Sequence, residues 1–142
     1  MKSIILDTNV ISELMRSSPD QTVMDWFARH TNTIFYISAI TQAEIMLGIA
    51  LLPAGKRRES LANAANLMFT QDFAGKCLPF DAKAAVNYAV IVSSRRRSGH
   101  ATTTEDAMIA SIAMVHGYSL ATRNTKDFLF INDLSLYNPW QE

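Results

Sequence analysis

The sequence predicts an α/β fold in which helices cover both faces of a parallel β-sheet. Three observations carry that prediction. Short β-forming runs, among them Ile4-Ile5-Leu6 and Thr33 to Ser38, are apolar without alternation, as strands buried on both faces are. Longer segments with apolar residues at helical spacing separate them, which implies right-handed βαβ units. The first run then leads straight into Asp7-Thr8-Asn9. In open parallel sheets, ligands bind just beyond the carboxyl ends of the strands.

The chain has 142 residues, enough for a core of its own, and is read as a single domain over 1–142. Hydrophobic residues make up 49%, which argues against disorder. Thirteen basic and thirteen acidic side chains cancel. A uniformly basic nucleic-acid binder is thereby excluded, and any such contact must come from local patches or bound metal. A lone Cys77 cannot form an intrachain disulfide, which fits a reducing compartment. No apolar run approaches the ~20 residues of a membrane span. Only three aliphatic residues precede Asp7, unlike a signal peptide. The expected location is cytoplasmic, without membrane association.

In chain order, a short helix is expected after Asp7 with Val10, Ile11 and Leu14 on one side. Ser18 is expected to cap a second helix, with Pro19 in its first position and Val23, Trp26, Phe27 and His30 at helical spacing. His30 reads as a helix C-terminal residue facing the negative dipole end. After the strand Thr33 to Ser38 comes a helix with Ile45, Leu47, Ile49 and Leu52, ended by Pro53 and Gly55. Lys56-Arg57-Arg58 opens another helix that runs to about Thr70, with Leu61, Ala64, Ala65 and Met68 inward. Cys77 to Phe80 is a brief strand, placed at an edge because Pro79 cannot donate to a ladder. Asp81 caps a long helix with Ala85, Tyr88, Ala89 and Val92, ending in Arg95-Arg96-Arg97. Thr102-Thr103-Thr104 starts an apolar helix with Gly117 as its C-cap. Ser119 to Thr122 and Leu134 to Tyr137 are the last strands.

Carboxylates recur at comparable places along this order. Asp7 follows the first strand, Glu44 and Asp106 fall in first turns of apolar helices, and Asn124 and Asp127 follow the fourth strand. Each also has a purely structural reading. Thr41-x-x-Glu44 has the form of a capping box, and Thr103-x-x-Asp106 can act the same way. Acids favour any first helical turn, and Thr8 is suited to cap the first helix. Taken together, several converging carboxylates suit a hard divalent cation such as Mg²⁺, which takes oxygen ligands and keeps several waters.

The blocks Leu-Asp7-Thr-Asn-Val-Ile-Ser-Glu, Ser-Ala-Ile-Thr-x-Ala-Glu44, Asp106-Ala-x-Ile-Ala, Ala-Thr-Arg-Asn124-x-x-Asp127-Phe and Asn-Pro-Trp140 stand in order along the chain. With them the sequence resembles the PIN-domain ribonucleases, most of all the VapC and FitB-type toxins of bacterial toxin–antitoxin pairs. The resemblance implies a three-layer α/β/α sandwich around a five-stranded parallel sheet. It also implies Mg²⁺-dependent endonucleolytic cleavage of RNA, with Mn²⁺ able to substitute. Asp7, Glu44 and Asp106 would form the acidic triad, with Asp7 and Asp106 on the metal and Thr8 and Thr122 as supporting hydroxyls. The implied partners are a cognate antitoxin inserting into the active-site groove, operator DNA reached only through that antitoxin, and a second copy in a homodimer.

Asn124 departs from FitB-like sequences that carry an acid directly after Thr-Arg. An amide ligates through its oxygen but adds no charge, so Asn124 is placed with the catalytic set and Asp127 is kept as its alternative. Arg95, Arg96 and Arg97 are the local candidates for RNA backbone contact, and Arg123 either meets phosphate or pairs with a carboxylate. Hydrolases with an aspartyl nucleophile want a second acid where Asn9 stands, and receiver-like domains want a phospho-accepting Asp that has no counterpart here. A non-catalytic PIN-fold binding module, acting only with an antitoxin-like partner, is the alternative to the enzyme.

Overall fold

A computed structural model of the chain describes residues 1–141. In order, the elements are β1 (Lys2–Leu6), α1 (Thr8–Leu14), α2 (Gln21–Arg29), β2 (Thr33–Ser38), α3 (Ala39–Ala50) and α4 (Lys56–Leu67). They continue with a π turn over Met68–Asp72, β3 (Cys77–Leu78), α5 (Ala82–Arg97), α6 (Thr104–His116), β4 (Ser119–Ala121), a 3₁₀ turn over Thr125–Phe128, and β5 (Leu136–Tyr137). The strands form one five-stranded sheet in the order β3-β2-β1-β4-β5. Every pairing is parallel, with Ile4 opposite both Phe35 and Ser119, and Leu6 opposite Ala121.

β1 is central because its residues are apolar on both faces. Ile4 and Leu6 pack into one core with Val10, Trp26, Ile37 and Ile45, while Ile5 packs into a second with Ile91, Ile109, Ile112 and Leu120. Two cores on opposite sides of one sheet make the three-layer α/β/α sandwich that the sequence implied. β3 lies at the edge, as Pro79 requires. The order turns from leftward to rightward growth between β1 and β4, so the crevice at their carboxyl ends is the switch point where parallel sheets bind ligands.

Several local expectations are met. Asp81 caps α5 by accepting from the Ala84 N–H, Thr103 caps α6 by accepting from the Asp106 N–H at 3.1 Å, and Gly117 closes α6 in the left-handed region at φ 67°. His30 is the C-cap of α2, its Nδ1 donating to the Trp26 carbonyl at 2.7 Å while its ring lies 4.2 Å from the indole. Trp26 is fully buried in an aromatic cluster with Phe27, Phe35 and Tyr137.

Others are corrected. Asp20, not Ser18, caps α2, accepting from the Thr22 N–H. The carboxylate that holds the Asp20 N–H is Glu13, which is itself buried and paired with Arg16. α4 yields to the π turn at Met68, and Ala64, Ala85 and Ala89 are exposed where an inward face was expected. On α5 the buried positions are Ala84, Ile91 and Arg95. The other residues expected inward, Leu61, Ala65, Met68, Tyr88 and Val92, are buried or half-buried.

Arg95 is the largest correction. It is 4% exposed, and its guanidinium donates to the Thr102 hydroxyl, the Leu129 carbonyl and, at 3.2 Å, the Ala101 carbonyl. It therefore ties the loop before α6 to the segment after the 3₁₀ turn and is closed to RNA. Arg96 and Arg97 remain exposed. Replacing Arg95 by Ala leaves buried acceptors without a donor, and urea unfolding should show a loss of about 3 kcal/mol. Arg96→Ala and Arg97→Ala should stay within ~0.5 kcal/mol of the unmodified chain.

Candidate active site

The site begins where β1 ends. The Asp7 N–H continues the ladder by donating to the Ala121 carbonyl at 2.9 Å. Its side chain caps α1, Oδ1 accepting from the Thr8 N–H at 2.8 Å. The cap of α1 is thus Asp7 and not Thr8, because the strand delivers the acid in extended backbone directly at the helix start. Oδ2 accepts from the Thr122 hydroxyl at 2.7 Å, which joins the ends of β1 and β4 across the switch point. Thr122 in turn accepts from Asn9 Nδ2 at 3.3 Å and from the Asn124 N–H at 3.1 Å. Asp7 and Thr122 are both buried.

Thr8, released from capping, serves Glu44. Its hydroxyl donates to Glu44 Oε1 at 2.7 Å and lies 3.0 Å from the Thr41 hydroxyl. One hydroxyl carries one proton, so Thr41 must be the donor to Thr8. Ser38 donates to Thr41 in turn at 3.4 Å, and its own oxygen accepts from the Thr41 N–H at 3.0 Å. Ser38, fully buried, is therefore the N-cap of α3, and the expected Thr41–Glu44 capping box is absent. What replaces it is a one-way chain of hydroxyl donors that ends on Glu44. Ser38 and Thr41 were missed as site residues; their sign in the sequence was a pair of hydroxyls between a strand and an acid, which capping explained too readily.

Asp106 enters from the first turn of α6 on the other face of the sheet. Burial raises its carboxyl to about 6 from the ordinary 3.8, with the Asp7 charge next in size; Thr103 opposes the rise, and Asp127 and Glu44 add to it. Burial likewise raises Asp7, against the hydrogen bonds from Thr122 and Thr8, and the charges of Glu44 and Asp127 push it further. Asp7 and Asp106 thus each feel the charges of Glu44 and Asp127, and Asp106 that of Asp7 as well. Asn124 is exposed, and its part in the network is its backbone N–H to Thr122 and its carbonyl to the Asp127 N–H at 3.0 Å. The fourth charge facing the triad is Asp127.

Beside Thr8 and Glu44 opens a cleft of about 820 Å³ between α1, α3 and α4, lined by Met15, Ile45, Ile49 and Leu61 and edged by Arg16 and Arg57. Its floor is apolar, with the Glu44 carboxylate at one end, a shape that suits an extended or helical segment. Among the described residues no three His, Cys, Asp or Glu side chains gather closely enough to enclose an ion alone. The donor chemistry nevertheless fits a hard cation, since mutually repelling carboxylates are what such an ion relieves, and Mg²⁺ commonly takes one or two of them and keeps waters. Asp7 and Asp106 are the two whose charged forms are most disfavoured without it.

Acids delivered by separate elements to the switch point of a parallel sheet define a candidate phosphate-chemistry site of the kind built around oxygen-ligated metal. The PIN domain model matches residues 4–131, and the chain belongs to the PIN-domain family. It is 41% identical over 138 residues to the VapC ribonuclease Y4jK of Sinorhizobium fredii, covering 97% of this chain and 98% of that protein. To Toxin FitB of Neisseria gonorrhoeae it is 40% identical over 139 residues, covering 98% and 99%. Among solved structures, that of FitAB bound to an IR36 DNA fragment superposes with a TM-score of 0.88 at 40% identity, covering 98% of this chain and 96% of that one.

The raised Asp106 carboxyl fixes a pH dependence. Its proton is held more tightly in the folded than in the unfolded chain, so native stability falls as pH rises from the ordinary 3.8 through about 6. The Asp106→Asn variant removes that penalty while keeping the Thr103 cap. In metal-free buffer it should be more stable at pH 7 by roughly 1 kcal/mol, after allowance for screening of a half-exposed group. The difference should vanish near pH 4. A less stable variant at pH 7 would show that capping, not repulsion, is what Asp106 contributes.

Proposed function

We propose that this chain is a metal-dependent endoribonuclease and the toxin of a toxin–antitoxin pair. The observation that carries the reading is the convergence of Asp7, Glu44, Asp106 and Asp127 from separate elements, with Asp7 and Asp106 held in a state that a cation would relieve. The names of the ribonuclease and toxin relatives support it. The reaction is in-line attack of water on an RNA phosphodiester, leaving a 5′-phosphate and a 3′-hydroxyl. Mg²⁺, with Mn²⁺ as substitute, would supply an activated water and offset the charge of the phosphodiester in an otherwise anionic pocket.

The chain's own residues divide the remaining work. Asp7 and Asp106 would hold the ion, with Thr122 fixing the Asp7 carboxylate through Oδ2. Glu44 is aimed by the Thr8 hydroxyl and completes the acidic set. Asp127 takes the fourth place in preference to Asn124, because only Asp127 brings charge to the cluster. The partner is a small antitoxin whose carboxy-terminal segment fills the apolar cleft beside Glu44 and so blocks the acids; operator DNA is reached through that antitoxin. The FitAB complex with DNA supports this arrangement. A homodimer belongs to the same proposal. No helix among the described residues is long and apolar enough to cross a membrane.

The test is cleavage of total cellular RNA by the partner-free protein with Mg²⁺, with Mn²⁺ and with chelator. Cutting should require the metal. Asp7→Asn, Glu44→Gln and Asp106→Asn should each lower it by at least ~100-fold, about 2.7 kcal/mol of barrier, with circular dichroism unchanged. Folded protein that cuts no RNA at any concentration of either ion would favour the non-catalytic binding module. For the fourth position, Asp127→Asn should lower the rate and raise the Mg²⁺ needed for half-maximal cutting, each by more than Asn124→Ala does. The reverse ranking would return the ligand role to Asn124.

A further inference from the structure

Arg123 immediately follows the threonine that holds Asp7. Its side chain is exposed, and its guanidinium carbon lies 5.0 Å from the centroid of the Trp140 ring. The backbone beneath it is pinned from both sides. The Arg123 N–H donates to Asn9 Oδ1 at 3.2 Å, and the largely buried Asn138 donates from Nδ2 to the Arg123 carbonyl at 3.3 Å. Asn138 Oδ1 also accepts from the Trp140 N–H at 2.9 Å, so one amide sets the arginine and its aromatic platform together. Asn9 reaches Asp7 Oδ2 at 3.5 Å and Thr122 at 3.3 Å. The network that places the acid therefore places the arginine.

Among the described residues the salt bridge is Arg16–Glu13, so Arg123 has an indole face as its partner and no carboxylate. The sequence left open whether Arg123 pairs with an acid or meets phosphate, and the structure removes the first. A guanidinium stacked on an indole keeps its charge and its in-plane N–H donors, and loses little side-chain freedom when those donors engage an anion. Such a fork matches phosphate oxygens. The Arg123 backbone directly follows Thr122, which holds Asp7, so an RNA seated on the acids runs past the arginine.

We propose that Arg123, held on Trp140, is a positioning residue that clamps a backbone phosphate of the substrate RNA. The proposal rests on the ribonuclease reading above. Binding of a labelled single-stranded RNA of mixed sequence is measured on Asp7→Asn protein, which leaves it uncut, at one Mg²⁺ concentration over a range of KCl. Adding Arg123→Gln should weaken binding roughly tenfold and flatten the log–log salt dependence by about 0.7, the loss of one phosphate contact on a single strand. Trp140→Phe should keep most of the binding, and Trp140→Ala should add little once Arg123 is gone. With Asp7 restored, the loss in Arg123→Gln should fall on KM more than on kcat. Thermal unfolding guards against misfolding, and Arg123→Gln leaves the ring in place. An unchanged salt slope, or no RNA binding at low salt, overturns the clamp and leaves the guanidinium to an acidic protein partner. Failure of the ribonuclease reading shows separately, as no metal-dependent cutting with Asp7 intact.

Discussion

The hydrogen bond from Thr122 to Asp7, 2.7 Å long and spanning 115 positions of sequence, closes the crevice between the two strands at which the sheet changes direction. Without it the end of β1 and the end of β4 would be joined only by the ladder and by Asn9, and a buried carboxylate would lack its strongest donor. With it, Asp7 is fixed while its charge stays uncompensated. Burial and neighbouring carboxylates then dominate the electrostatics of the pocket.

The donors around the acids share that property. Thr8, Thr41 and Thr122 supply hydroxyls, Asn9 an amide, and the start of α1 a backbone N–H. None of these donors carries charge. An arginine or lysine in the same places would orient the carboxylates equally well and would also neutralise them, which would leave a cation little to gain. Neutral donors give orientation and leave repulsion in place. The salt bridge among the described residues, Arg16–Glu13, sits at the junction of α1 and α2, apart from the acid cluster.

The basic residues show how one residue type is put to different uses by burial. Arg95 is enclosed and spends its donors on the backbone and a hydroxyl of the segments that bracket α6, which steadies the helix that presents Asp106. Arg96 and Arg97, next to it in sequence, turn outward on the same helix. Arg123 is exposed as they are, but is held by an aromatic ring and by two asparagines. A run of three arginines looks uniform in sequence. Helical geometry sends consecutive residues to different sides, so only the packing of α5 could say which one is inside.

The sequence by itself determined the layers and the edge where chemistry would occur. Strands apolar on both faces can exist only between helices, and the residues after Leu6 and Ala121 had to emerge at the carboxyl ends. Asp7, Glu44 and Asp106 were legible because each stands at a fixed offset from a strand end or a helix start. Tertiary structure alone decided the rest. Thr41 and Glu44 have capping-box spacing, yet the cap went to Ser38, whose hydroxyl the end of β2 already delivers to the start of α3. The charge of Asp127 reaches Asp7 and Asp106 from the 3₁₀ turn, a placement three residues of spacing cannot specify. Trp140 met Arg123 through a contact between the end of the chain and the end of β4. Periodicity reports which way a side chain faces within its own element; which partner it meets depends on elements far away in sequence, and that information exists only once the chain has folded.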